Sequence, residues 1–139
     1  MNIYFACSIT GGRDFEPVYQ AIIAALQASG NTVPTAHLAN SSVKVLEAIV
    51  SPREVYERDI AWIRKCEALV AEVSTPSHGV GYEVAYALSL GKPVLCIYQE
   101  GQAISKMISG NSHPKIQVYP YRNADHAIAI VHSFLLQHG

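Results

Sequence analysis

Two acidic residues stand where a plain scaffold would place something else. The stretch Ala68-Leu-Val-Ala-Glu-Val-Ser-Thr-Pro-Ser-His-Gly-Val-Gly-Tyr-Glu83 reads as a buried strand, a small-residue loop and a helix with a carboxylate in its first turns. Backbone N–H groups left unpaired at such a helix start, with the positive end of its dipole, suit an anion. The same dipole is expected to hold Glu83 ionised while the loop amides receive a ligand's phosphate or carboxylate. The second residue is Asp59. On a helix from about Pro52 to Lys65, Val55, Asp59, Trp62, Ile63 and Cys66 form one inward stripe, and Asp59 sits in its middle. The outward positions carry Glu54, Glu57, Arg58, Arg64 and Lys65, so no basic partner is evident on the inward face. An inward aspartate without a partner costs several kcal/mol, on the order of the desolvation of a charge. Asp59 bonding Trp62 or buried backbone is the structural alternative, and for Glu83 alone a helix-dipole carboxylate is. Together the two acids point to a carboxylate pair facing one cleft, able to share a proton and to stabilise or attack a developing cation.

Such a pair needs a rigid frame, and the chain alternates apolar runs with helical periodicity. Strands are expected at Asn2 to Cys7, Thr32 to Thr35, Ala68 to Ser74, Pro93 to Tyr98 and Ile116 to Tyr119. Helices are expected at Phe15 to Ser29, about Pro52 to Lys65, about Gly79 to Leu90, Ser105 to Ser109 and Ala124 to Gln137, with Gly30 and Gly91 as stops. Residues Ala36 to Ser51, polar at Asn40-Ser41-Ser42 and partly helical around Val43 to Val50, read as a mobile flap. Five short strands joined by helices predict an α/β, doubly wound, five-stranded parallel sheet with helices on both faces. Ligands of such sheets bind at the carboxyl ends of the strands. Three loops would meet there: Ser8-Ile9-Thr10-Gly11-Gly12-Arg13, Thr35-Ala36-His37 and Ser74 to Gly81. The pair Gly11-Gly12 lets backbone approach a ligand closely, but no G-x-G-x-x-G dinucleotide fingerprint follows the strand.

Composition sets the limits. The 139 residues, half of them apolar, suit a single domain spanning 1–139, without repeats or linkers. A net charge of −1 and the lack of a Lys/Arg run argue against a nucleic-acid polymer as partner. No stretch approaches the roughly 20 apolar residues of a membrane span, and the N-terminus lacks signal-peptide character, so a cytoplasmic protein is expected. Cys7, Cys66 and Cys96 read as reduced, buried thiols. No residues have metal-ligand spacing, and neither a metal nor another cofactor is expected.

At these residues the chain resembles the nucleoside 2-deoxyribosyltransferase family. The resemblance rests on Tyr4-Phe5, Ser8-Ile9-x-Gly11-Gly12-Arg13, Asp59 with Trp62, and Ala71-Glu-Val-x-x-Pro-Ser77-x-Gly79-Val-Gly-Tyr-Glu83. It covers nearly the whole chain and is strongest toward the 2′-deoxynucleoside 5′-phosphate N-hydrolase branch. It implies a flavodoxin-like homodimer that cleaves the N-glycosidic bond of a nucleoside 5′-monophosphate. Glu83 matches the family nucleophile, Asp59 the carboxylate beside it, and Tyr4 the phenol that orients the nucleophile. Ser77 and Gly79 match the phosphate loop, and Ser105 matches a phosphate-binding serine supplied by the neighbouring subunit. The remaining substrate contacts are expected from Ser8, Ile9, Gly11, Gly12, Arg13 and His37.

The chemistry agrees with that resemblance. Breaking a C1′–N bond builds positive charge on the sugar, which an ionised carboxylate stabilises or captures. Asp59, in dry surroundings beside a second negative charge, should have a raised pKa suited to sharing a proton with the departing base or incoming water. Base exchange between deoxynucleosides is the main alternative. Transferase relatives place an acidic residue six positions before the nucleophile, where this chain has Ser77, and a serine suits a 5′-phosphate better. Thr10 occupies a place where the hydrolase branch commonly has arginine. A nucleotide-sensing domain without turnover is the alternative from another class.

Overall fold

The computed structural model describes residues 1–139. The strands are β1 (Ile3–Ala6), β2 (Ala68–Glu72), β3 (Val94–Gln99) and β4 (Ile116–Tyr121). The helices are α1 (Glu16–Ala28), α2 (Val43–Ala48), α3 (Pro52–Lys65), α4 (His78–Ser89), α5 (Lys106–Ser109) and α6 (Ala124–His138), with a 3-10 turn at Ala36–Ala39. The four strands pair in parallel in the order β1-β2-β3-β4.

The expected five-stranded sheet is thereby corrected to four strands. Thr32 to Thr35, expected as a strand, lies beside β1 but makes only the isolated parallel bridge Asn2–Thr32. Pro34 has no N–H to continue the ladder, and the Phe5 N–H instead bonds the Thr35 side-chain oxygen at 3.0 Å. At the opposite edge Pro120 sits in β4, a place where only one side of the strand is paired. In the segment read as a flap, the helix expected around Val43 to Val50 forms as α2, and a 3-10 turn precedes it.

Alternation along the strands builds two cores. Ile3, Phe5, Ala68, Val70, Leu95 and Ile97 pack with α1 and α6 on one face. Tyr4, Ala6, Leu69, Ala71, Val94 and Cys96 pack with Ile63 of α3 and Val80, Val84, Ala87 and Leu88 of α4 on the other. This alternation matters for function, because it turns Tyr4 toward the same side of the sheet as the helices that carry Asp59 and Glu83. The chain also passes from β1 to the Thr32 bridge on one flank and then to β2 on the other, opening a crevice above the ends of β1 and β2.

Local chemistry fixes the two helices that flank that crevice. Ser51 caps α3, accepting the Glu54 N–H at 3.2 Å and donating to Glu54 Oε1 at 3.0 Å, with Pro52 in the first turn. Ser77 caps α4 by accepting the Val80 N–H at 3.2 Å, and Gly91, at φ +73°, ends the segment in a left-handed turn. No helix is long and apolar enough to cross a membrane.

Candidate active site

A cavity of about 570 Å³ fills the crevice. Its wall includes Ile9 and Thr10 after β1, Glu47 of α2, Tyr56 and Asp59 of α3, Ser77 after β2, and Gly79, Tyr82 and Glu83 of α4. Asp59 and Glu83 thus line the same cavity although they come from different helices. Tyr4 is fully buried beneath them.

The polar atoms of this group are incompletely paired. Glu83 Oε2 and the Tyr4 hydroxyl are both buried and neither has an aligned hydrogen-bond partner. They nonetheless lie close enough to influence each other, since the Tyr4 hydroxyl lowers the Glu83 pKa and Glu83 raises that of Tyr4. Burial is the larger effect on Glu83 and pushes its carboxyl up to about 7, with the Asp59 charge adding to the rise and Tyr4 and Arg58 opposing it. Here the sequence reading needs correction. Glu83 lies too far into α4 for the helix start to hold it ionised, because the dipole acts mainly within the first turn. Burial also raises Asp59, against the lowering effect of Arg58.

Arg58 is a second correction. Its Nε donates to Asp59 Oδ1 at 2.9 Å and its Nη2 donates to Glu47 Oε1 at 3.0 Å. Its guanidinium also lies over the Trp62 ring, 4.9 Å from the centroid. Asp59 is therefore paired. Adjacent residues do not share a helix face, so the spacing concealed this contact. Glu47, Tyr56 and Tyr82 were also missed as cavity residues. Glu47 sits on a helix too short to show periodicity, and the two tyrosines fall on positions that read as solvent-facing.

The first loop behaves differently from a simple ligand cradle. Ser8 is fully buried with its hydroxyl unpaired. Gly11 packs against the second loop, where a Cβ would come within 2.3 Å of the Pro76 carbonyl oxygen. Gly12 adopts φ +132°, which favours glycine. Arg13 does not line the cavity; its guanidinium bonds the Ser8 and Asn40 carbonyls and Glu16, at 3.0, 3.2 and 2.8 Å. These contacts hold the loop to the Asn40 segment. His37 also lies behind the wall, its Nε2 2.7 Å from Glu47 Oε1.

At the start of α4, Val80 and Gly81 direct their N–H groups to Ser77, leaving those of His78 and Gly79 without partners in the chain. Ser77 keeps its own hydroxyl proton for a ligand, because capping uses it only as an acceptor. Ser105 does not reach this cavity. It lies in an adjoining one of about 520 Å³ with Ile104, Met107 and Ile108, and that cavity shares Ser77 and Tyr82 with the first. The Cys7 thiol touches the main cavity, but burial pushes its pKa up to about 12, which suits packing rather than nucleophilic attack. No group of three or more His, Cys, Asp or Glu side chains gathers where a metal ion could be held.

A parallel sheet flanked by helices, with two carboxylates and a phenol at its crevice, defines a class of enzymes acting on glycosyl bonds. The family model described as nucleoside 2-deoxyribosyltransferase matches residues 3–118, and the chain belongs to that family. It is 39% identical over 118 residues to a protein of Methanococcoides burtonii named putative 2′-deoxynucleoside 5′-phosphate N-hydrolase 1, covering 85% of this chain and 97% of that one. It is likewise 39% identical over 125 residues to the 5-hydroxymethyl-dUMP N-hydrolase of Mus musculus, covering 86% of this chain and 72% of the relative. Among solved structures, the CMP N-glycosidase of Clostridium botulinum superposes with a TM-score of 0.70 at 16% identity, over 95% of this chain and 99% of that one. That similarity supports the fold.

Proposed function

We propose that this protein hydrolyses the N-glycosidic bond of a 2′-deoxynucleoside 5′-monophosphate, releasing the free base and deoxyribose 5-phosphate. The observation that carries the reading is the unpaired Glu83 Oε2 beside the unpaired Tyr4 hydroxyl at a cavity that Asp59 also lines. As the C1′–N bond lengthens, the developing cation favours ionised Glu83, which engages C1′ and forms a glycosyl-enzyme intermediate. Tyr4 donates to that carboxylate and steadies its orientation. Asp59 passes a proton to the departing base and then takes one from the water that releases the sugar. The protein's own side chains suffice for these steps, so no cofactor is invoked.

The 5′-phosphate is assigned to the Ser77 hydroxyl and the free His78 and Gly79 amides, a helix-start arrangement suited to an anion. Ile9 and the loop around Ser8, Gly11 and Gly12 shape the sugar and base side. Arg13 and His37 support that wall from behind through Asn40 and Glu47. Relatives named as nucleotide N-hydrolases agree with a phosphorylated substrate. A nucleotide substrate and three buried thiols also fit a cytoplasmic setting.

Incubation with a panel of deoxynucleoside and ribonucleoside monophosphates, alongside the matching nucleosides, should release free base from deoxynucleoside monophosphates. Base exchange between unphosphorylated deoxynucleosides would instead identify a transferase, and tight binding with no base release a sensor.

A homodimer completes the proposal. Met107, 81% exposed, borders the apolar cavity that holds Ser105 and abuts the phosphate end of the main one. A second copy covering this face would bring its own Ser105 toward the phosphate. Sedimentation should give a dimer, and Ser105→Ala should raise KM for the monophosphate by about tenfold, the loss of roughly one hydrogen bond to a charged group. A monomer at working concentration would remove Ser105 from the site.

A further inference from the structure

Asp59 does not stand alone in the cavity wall. Its Oδ1 accepts from Arg58 Nε, and Arg58 Nη2 is held in turn by Glu47 Oε1, which also meets His37 Nε2. Trp62 closes the group, lying beneath the Arg58 guanidinium and edge-on to the His37 ring at 6.0 Å. The ion pairs are partly sheltered, with side-chain exposures of 25% for Arg58, 18% for Asp59 and 13% for Glu47. The 3-10 turn, α2 and α3 therefore meet around Arg58, which alone of this group bonds Asp59, at Oδ1. Oδ2 is left without a bond to the protein.

Building on the hydrolase reading, we propose that Arg58 is the positioning residue for Asp59. It locks Oδ1, presents Oδ2 to the substrate and, anchored by Glu47, sets the pH range in which Asp59 exchanges its proton. A guanidinium fork fits this task because it bonds two carboxylates in fixed directions while its plane rests on an aromatic ring. A lysine would supply charge without direction. The other groups bearing on Asp59 are Glu83 from α4, Tyr4 from β1, Glu47 from α2 and His37 from the 3-10 turn. Of the charged groups among these, Glu47 raises the Asp59 pKa and His37 lowers it, while Arg58 opposes the upward push of burial most strongly. Loss of Arg58 must therefore move the Asp59 pKa upward. Arg58 also lowers Glu83, so its loss should move both carboxyls, and with them the whole rate profile, toward higher pH.

The decisive measurement is the carboxyl-carbon NMR titration of Asp59 in the intact protein, which needs no turnover. Arg58→Met should raise the Asp59 pKa by about one unit, the effect of removing an adjacent opposite charge. The pH profile of kcat should move in the same direction, with kcat falling about tenfold or more and KM for the monophosphate little changed. Arg58→Lys should restore the pKa in part but not kcat. An unchanged Asp59 titration in a folded Arg58→Met protein would overturn the proposal, as would full kcat in that variant. If the wild-type protein releases no base from any nucleotide, the hydrolase reading fails while the titration still judges the Arg58–Asp59 link.

Discussion

Glu83→Gln is expected to abolish base release, lowering kcat by at least about a thousandfold, the scale seen when a covalent nucleophile is removed. Glutamine keeps the shape of the side chain and can still bond Tyr4, but it offers no charge to the sugar cation. Single-turnover assays with a deoxynucleoside monophosphate would measure the loss. Substrate affinity should survive, since the phosphate is held by Ser77 and the helix-start amides rather than by Glu83. A variant retaining a tenth of the wild-type rate would exclude Glu83 as the nucleophile.

The same substitution should stabilise the protein, in a direction that pH controls. Burial displaces the Glu83 pKa from 4.5 to about 7 in the folded chain. Below pH 4.5 the carboxyl is protonated in both folded and unfolded states and contributes nothing. As pH rises toward 7 the unfolded chain loses the proton first, so the wild-type protein loses stability across that window. Above it the cost levels off at about 3 kcal/mol. Glu83→Gln removes that cost. Its melting temperature should exceed the wild-type value by on the order of 10 °C at pH 8 and by little at pH 4.5. An equal gain at both pH values would mean that burial of the charge is not its cause. A site that is strained by its own nucleophile is the expected form of a trade between stability and activity.

The sequence made much of this legible for identifiable reasons. The extents of α3 and α4 followed from their apolar stripes and, for α4, the Gly91 stop, and the structure places both helices within a residue or two of expectation. Asp59 was recognisable because it interrupts such a stripe. What stayed hidden depended on contacts between segments. Thr32 to Thr35 has strand-forming residues, yet Pro34 and the Thr35 side chain leave only a bridge. The Arg58–Asp59 pair joins neighbours that periodicity assigns to different faces, and Glu47 reaches it from a six-residue helix. Arg13 belongs to a motif that suggests ligand binding, but its partners are two carbonyls, a carboxylate and the Cys7 sulfur of the chain itself. Periodicity reports which residues face inward. It does not report which atom each one meets there.

Asp59→Asn tests the other half of the mechanism and should lower kcat by about a hundredfold to ten-thousandfold, the usual span for a lost general acid–base. The amide can still accept from Arg58 Nε, so the fold should persist and the defect should lie in proton transfer. Two further readouts separate this from a simple packing fault. Asp59 raises the Glu83 pKa, so its neutralisation should move the acid limb of the rate profile to lower pH. Substrates whose base departs without needing a proton, such as an N7-methylated purine nucleotide, should recover most of the lost rate in bond cleavage. Release of the sugar, in which water attacks C1′ and the Glu83 carboxylate leaves, would remain slow because Asp59 also serves that step as base, and a burst of free base should therefore precede a slow steady state. Loss of rate that is uniform across leaving groups, with no burst, would place Asp59 in the scaffold rather than in the proton path.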